Sequence, residues 1–372
     1  MVKMKRSIRA IVLLIAILAV IVFSFVEHRD CSGNDLLSTD ENFTDRANKN
    51  LTFSGKAFDS IAFYFTTPDI ETKEPEIVKA LLKFLNQAER SIYGAIYDLD
   101  YEPVSELLVN KFQRGVDVKL VIERDNANRL SVLKCRNMGI PIVEDNNSAL
   151  MHDKFLVVDG YYVWTGSTNI TYNCLFLNNN NSVLVQSPQL AENYLYEFQE
   201  MFIGHYYGMK SPHNIKYPEV SINENLVIVN MFTPEDGVEQ RILAEIDKTQ
   251  QFIKFMAFSF TSKQIAQRLI VAKGRGVLIQ GVFEKRNAGN VASKDELLKY
   301  AGIDVRWDSN TKSMHHKVII FDEQTVLTGS YNFTESAEKR NDENALFIHN
   351  PEVARLYSAE FYRIFEKGTP VR

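Results

Sequence analysis

Apolar and polar positions divide the chain into three regimes. Residues 10–26 are apolar and unbroken by charge, with Ser24 the single hydroxyl residue. As a helix this run spans about 26 Å, near the hydrocarbon thickness of a bilayer, and it has no polar face. Residues 30–57 are polar and read as a tether. From residue 58 onward short apolar runs alternate with amphipathic stretches. Strands are expected at 61–65, 91–99, 116–122 and 182–186, and helices at 75–88, 104–112 and 189–202. In the helix at 75–88, Ile77, Leu81, Leu82 and Leu85 share one face. Arg114-Gly115 supplies a glycine stop after the second helix. Residues 206–221 hold two prolines and read as a linker. The order then recurs, with strands at 227–231, 252–260 and 277–283 and helices at 265–272 and 353–365. Strand–helix alternation of this kind predicts an α/β sheet with helices on its faces.

The recurrence is exact at the polar positions. His152, Lys154, Asp159, Gly166, Ser167 and Asn169 match His315, Lys317, Asp322, Gly329, Ser330 and Asn332 at a constant offset of 163 (315 − 152). Tyr194, Glu197, Phe198 and Phe202 match Tyr357, Glu360, Phe361 and Phe365 at the same offset. One H-x-K carries almost no information, because a histidine near a lysine is common at a surface. Six matched positions in two copies mark a duplication. Two similar halves pack most economically about a pseudo-twofold axis, like a fused isologous dimer. Both motif strands, 151–158 and 314–321, would then face one cleft.

The pattern H-x-K-x4-D-x6-G-S-x-N, present twice, resembles the signature of the phospholipase D superfamily over about residues 58–367. The second copy resembles small bacterial endonucleases and cardiolipin-hydrolase-like members. The resemblance implies two repeated α/β/α sandwich halves. It also implies one catalytic histidine per half and a covalent phosphohistidine. His152 and His315 would serve as nucleophile and proton carrier, a role suited to a group that titrates near neutrality. Lys154 and Lys317 would hold the non-bridging oxygens, with Asn169 and Asn332 donating hydrogen bonds. Ser167 and Ser330 are either further donors or ordinary turn residues after glycine. Asp159 and Asp322 belong to the motif but lie about 23 Å from their histidines along an extended strand. They read as structural or lysine-supporting groups rather than as acids or bases.

The halves differ at one informative place. Glu343 falls opposite Asn180. Family members carry a carboxylate near Glu343 that orients a catalytic histidine. The resemblance therefore implies that Glu343 reaches across the axis to His152, leaving the Asn180 amide for His315. A solvated Asn-rich loop at 178–181 is the plainer reading of Asn180. Asp98 aligns with Ser259 and would border the cleft or cap the following helix.

Composition narrows the partners. The chain has 372 residues, 45% hydrophobic and 24% charged, enough for a large duplicated globular unit. A net charge of −5 argues against a broadly basic nucleic-acid-coating surface and leaves room for a local basic cleft. Three cysteines (Cys31, Cys135, Cys174) form no disulfide framework. No metal-ligand cluster is legible, and chemistry on two histidines and two lysines needs no metal or cofactor. Asn42 and Asn50 head glycosylation sequons that read as chance matches.

Residues 1–29, with Lys3, Lys5, Arg6 and Arg9 ahead of the apolar run, read as an uncleaved transmembrane anchor, with a cleaved signal as the alternative. The expected organisation is thus an anchor at 1–29, a tether at 30–57, repeats at 58–205 and 222–372, and a linker between them. The catalytic domain would lie on the extracytoplasmic side, or be secreted. The chain is expected to be a monomer with a pseudo-dimeric catalytic domain. Its expected activity is phospholipid hydrolysis, with nucleic acid as alternative substrate and phosphatidyl transfer as a related outcome. A catalytically dead binding module is disfavoured because neither H-x-K is lost.

Overall fold

The computed structural model describes residues 56–58, 60–68, 70 and 72–372. The expected membrane anchor, most of the tether, Cys31 and both sequons lie outside the described residues. Among the described residues no helix is long and apolar enough to cross a membrane.

The described chain is a mixed α/β fold with two sheets built from two repeated halves. In the first half the strands are β1 (Lys56–Phe58), β2 (Ile61–Phe65), β3 (Ser91–Ile96), β4 (Asp117–Ile122), β5 (Ile142–Glu144), β6 (Lys154–Val158), β7 (Tyr162–Gly166) and β8 (Asn181–Gln186). They hydrogen-bond in the order β1-β2-β8-β7-β6-β3-β4-β5. The second half supplies β9 (Glu219–Asn223), β10 (Leu226–Thr233), β11 (Phe252–Ala257), β12 (Leu278–Phe283), β13 (Asp304–Trp307), β14 (Lys317–Phe321), β15 (Thr325–Gly329), β16 (Glu343–His349) and β17 (Thr369–Pro370). Read from β9, its order is β9-β10-β16-β15-β14-β11-β12-β13-β17. Strand for strand this repeats the first sheet, with β17 added at the far edge. In each sheet the three strands from β3 or β11 outward are parallel, and β3 and β11 pair antiparallel with the motif strands.

β6 and β14 are central and completely buried, as their unbroken apolar runs FLVV and VIIF require. Each begins at the motif lysine, not before the histidine as the sequence reading has it. His152 and His315 sit in the preceding loops because those residues pair with the opposite half. Met151 bridges Asp342, and Met314 bridges Asn179. The strand expected at 91–99 stops at Ile96, and that expected at 252–260 stops at Ala257. β7 and β15 complete tight hairpins with the motif strands.

Helix α1 (Glu76–Asn86) buries Ile77, Leu81 and Leu85 as expected, together with Val78, Ala80 and Phe84, while Leu82 of the expected face is only half-buried at its margin. The closing helices, Pro188–Phe202 and Pro351–Phe365, each start at a side-chain cap. Ser187 Oγ accepts from Leu190 N, and Asn350 Oδ1 accepts from Glu352 N and Val353 N. Both helices pack on the motif strands of their own half. At the chain's two joints the sequence reading shifts. Lys56 and Ala57, the end of the expected tether, pair with β2. Residues 219–221 of the expected linker pair with β10.

Candidate active site

The two H-x-K loops meet where the halves face each other. His152 N donates to Asp342 O at 2.9 Å, and His315 N donates to Asn179 O at 2.8 Å. The backbone of each half therefore fixes the loop that carries the other half's histidine.

The side chains repeat this crossed pattern. His152 Nδ1 lies 2.7 Å from Glu343 Oε2, and Glu343 is fully buried. His315 Nδ1 lies 2.9 Å from Asn180 Oδ1 and 3.1 Å from Ser167 O. Both contacts cross between the halves, so the crossed pairing implied by the resemblance is the geometry present. The Asn-rich loop is not solvated: Asn179, Asn180 and Asn181 are buried. Asn180 Nδ2 donates to Cys174 O at 3.0 Å, and Ser167 Oγ donates to Asn180 Oδ1 at 2.9 Å. These two bonds turn the amide oxygen toward His315. Ser330 likewise hydrogen-bonds Glu343. The two serines thus hold the groups that orient the histidines.

Lys154 Nζ donates to His152 O, and Lys317 Nζ donates to His315 O at 2.8 Å. Each ammonium also lies over an aromatic ring, Tyr97 at 4.8 Å and Phe258 at 4.7 Å. The same rings meet the imidazoles edge-on, Tyr97 with His152 at 4.7 Å and Phe258 with His315 at 4.5 Å. Tyr97 and Phe258 were not anticipated. The signal was present, because they immediately precede the aligned pair Asp98 and Ser259. Asn169 Oδ1 and Asn332 Oδ1 are buried without a hydrogen-bond partner, so the fold does not consume these amide oxygens.

Asp159 and Asp322 are elsewhere. Each occupies a left-handed backbone position at its hairpin (φ 57° and 49°), which aspartate tolerates well. The Asp159 carboxylate accepts from the backbone N–H groups of Glu89, Arg90 and Ser91. That of Asp322 accepts from Gln250, Gln251 and Phe252. Neither carboxylate reaches a motif lysine, so the lysine-supporting reading gives way to the structural one. Asp98 caps no helix; it forms a two-pronged pair with Arg129, at 3.0 and 2.9 Å.

Burial and the two ammonium groups push both imidazoles well below their ordinary range. Burial also lowers Lys154 to about 8 and holds Lys317 well below its ordinary range. It raises Glu343 to about 7, against the pull of Lys154. Both histidines are therefore neutral in the free site. With Nδ1–H donated to Glu343 or Asn180, each keeps a lone pair on Nε2. Two neutral imidazoles beside two lysines, whose ammonium form a nearby anion would restore, suit an anionic ligand attacked by nitrogen.

Metal-ligand atoms converge at one further place among the described residues. Oxygens of Glu197, Glu200 and Glu235 lie within 4.8 Å of one another. No sequence spacing announces this trio, because Glu235 comes from the other half.

Comparison with known proteins agrees with this geometry. The family model described as "Cardiolipin synthase, PLD-like domain" matches residues 81–202 and 242–365, one match per half. A phospholipase D of Rickettsia conorii is 36% identical over 143 residues, covering 38% of this chain and 72% of that protein. Mitochondrial cardiolipin hydrolase of Mus musculus is 33% identical over 132 residues, covering 36% of this chain and 60% of that protein. Among solved structures, phosphatidylserine synthase of Haemophilus influenzae has the same fold. Its TM-score is 0.63 at 14% identity, over 83% of this chain and 87% of that one. With both halves matched and a histidine–lysine pair in each, the chain belongs to the phospholipase D-like family.

Proposed function

We propose that this protein is a phosphodiesterase of phospholipase D type that hydrolyses phospholipid through a covalent phosphohistidine. One observation carries the reading. Each histidine has its Nδ1 engaged by the opposite half, at 2.7 Å and 2.9 Å, which leaves both Nε2 atoms outside these pairings on two imidazoles close enough to act on each other electrostatically. The curated relatives named phospholipase D and cardiolipin hydrolase support a lipid substrate. The acidic balance of the chain supports it further.

In the proposed reaction an anionic phosphodiester enters beside Lys154 and Lys317, which neutralise its non-bridging oxygens. The added negative charge raises both histidines, and His315 takes a proton on Nε2. The His152 Nε2 lone pair attacks phosphorus as the bond to the leaving oxygen breaks. His315 delivers its proton to that oxygen, releasing the head-group alcohol. Glu343 stabilises the positive charge that develops on His152. Water then attacks phosphorus, giving a proton to His315 as the N–P bond breaks. Phosphatidic acid leaves and His152 is neutral again. The asymmetry between Glu343 and Asn180 supports this division of roles: a carboxylate-paired imidazole bears charge more readily, which suits it to become the phosphorylated one.

Two α/β/α halves about a pseudo-twofold axis form the proposed catalytic unit, acting as a monomer. The N-terminal apolar run would anchor it at a membrane, with the catalytic unit on the extracytoplasmic side. The test gives the full-length protein, with EDTA present, phospholipid vesicles containing cardiolipin and, separately, single-stranded DNA and RNA. Release of head group with phosphatidic acid supports the proposal. Cleavage of nucleic acid alone overturns the lipid assignment and leaves a nuclease.

A further inference from the structure

The x of each H-x-K is itself buried, and the halves treat it in opposite ways. In the second half it is His316, whose Nε2 lies 3.0 Å from Glu360 Oε1. Arg363 also holds Glu360, with bonds of 2.7 and 2.8 Å. One buried carboxylate is thus flanked by two nitrogen bases. At the fixed offset of 163, Glu360 corresponds to Glu197, His316 to Asp153 and Arg363 to Glu200. The first half keeps the carboxylate and replaces both basic partners with acids. Glu235 adds another from the second half, and Asp342 lies close enough to act on the group electrostatically.

Each of these acids keeps one carboxyl oxygen without a protein partner, while Asp153 accepts from Asn344 Nδ2 at 2.6 Å through its other oxygen. Glu197 Oε1, Glu200 Oε1, Glu235 Oε2, Asp153 Oδ2 and Asp342 Oδ2 are all buried without a hydrogen bond. Glu197 is 2% exposed, and Asp153 and Asp342 are fully buried. Among the described residues no lysine or arginine pairs with any of the five. Asp153 and Asp342 are not members of the close trio. Each nevertheless presents an unpaired buried oxygen, and the charge of Asp153 is felt by Glu197, Glu200 and Glu235. Buried acceptors left unmatched are costly unless protons or a positive ligand take the place of the missing bases, and burial raises all five acids.

We propose that Glu197, Glu200 and Glu235 bind a calcium ion in the first half, backed by Asp153 and Asp342. An all-oxygen, carboxylate-rich set selects a hard cation. Two oxygens on one ion stand at most twice the metal–oxygen distance apart, about 4.6–5.2 Å for calcium and about 4.0–4.2 Å for magnesium. The three oxygens lie within 4.8 Å of one another, inside the span calcium allows, and a buried set of carboxylates with few waters favours calcium over magnesium, which gives up its hydration shell reluctantly. The site would join the halves, since Glu235 follows β10 while Glu197 and Glu200 lie on the closing helix Pro188–Phe202. Asn214 of the linker donates to Glu200 Oε2 at 3.2 Å, and Gly208 N donates to Asp342 Oδ1. The ion would therefore fix the linker and the joint behind His152 without touching either catalytic histidine. This inference is independent of the substrate.

The test uses the full-length protein in detergent, stripped with EDTA and dialysed, at pH 8. Calorimetric titration with calcium chloride should show one site. Calcium at a hundredfold excess over its dissociation constant should raise Tm by about 3–5 °C. The double variant E197Q/E200Q should lose both the heat and the shift. Glu200→Arg copies the arrangement of the second half. It should melt above stripped wild type and no longer respond to calcium, which keeps the test decisive if the double variant does not fold. Absence of heat and shift in wild type at millimolar calcium would mean that protons alone neutralise the cluster, and would overturn the proposal. So would a calcium response that persists in Glu200→Arg, or tighter binding of magnesium than of calcium.

Discussion

Glu343→Gln isolates the contribution of one charge at the interface between the halves. The carboxylate is fully buried, takes His152 Nδ1 at 2.7 Å on Oε2 and receives Asn341 Nδ2 at 3.2 Å on Oε1. Replacing a charge-assisted bond by a neutral one costs about 1–2 kcal/mol, roughly 5–30-fold in the step that charges His152. That is a lower bound. Asn341, which donates to Oε1, favours an oxygen on its side of the amide. A glutamine that obliges it turns its NH2 toward His152 and forces the proton onto Nε2. The nucleophilic lone pair is then lost, and by analogy with the serine-protease aspartate the loss reaches about 10⁴-fold. The rate of enzyme labelling in a single turnover should therefore fall by a factor between these limits, with Tm little changed. Labelling within twofold of wild type would show that Glu343 does not prepare the nucleophile.

His152→Ala and His315→Ala should each abolish turnover of a lipid substrate with the fold intact by circular dichroism; normal rates in either would mean that the halves do not share a site. Lys154→Ala or Lys317→Ala should cost roughly 2.7–4 kcal/mol in kcat/KM, by analogy with one oxyanion donor, and a loss below tenfold would remove the lysine from phosphate binding. Gly329→Ala should destabilise by roughly 2–4 kcal/mol in urea unfolding, because φ is +146° and a Cβ would meet Asn344 O at 2.2 Å; an unchanged midpoint would contradict this. Burial and the lysines depress His152, so the neutral nucleophile persists as pH falls past its ordinary 6.5. With a nitrophenyl phosphodiester, which needs no leaving-group acid, labelling in wild type should fall near pH 7 as the Glu343 carboxyl, raised to about 7, takes its proton, whereas in Glu343→Gln the remaining limb belongs to the imidazole and should lie below pH 6.5; a limb at or above 6.5 in that variant would show that His152 is not depressed.

The duplication, the two motifs and the strand–helix order were legible because they repeat along the chain. Apolar runs such as 155–158 and 318–321 allow few other placements. What depended on contacts between the halves was less legible. Asn180 looks like part of a polar loop until Cys174 O and Ser167 Oγ are seen to aim its amide at His315. Tyr97 and Phe258 look like ordinary strand-end aromatics until the ammoniums lie over them. The trio of Glu197, Glu200 and Glu235 draws on both halves, and nothing in the spacing along the chain joins them. Strand ends near the motifs were misjudged for the same reason. The backbone at Met151 and Met314 leaves its own sheet to bridge the other half.

The central claim is a division of labour between two histidines that the duplication made equivalent. It is tested most directly by trapping the covalent intermediate. Full-length wild type and His315→Ala are mixed with a nitrophenyl phosphodiester, quenched at alkaline pH and analysed by peptide mass spectrometry. A phosphoryl adduct is expected on His152 in both proteins, and none in His152→Ala. An adduct on His315 that persists in His152→Ala would reverse the roles, and the absence of any adduct under single-turnover conditions would contradict the covalent mechanism itself.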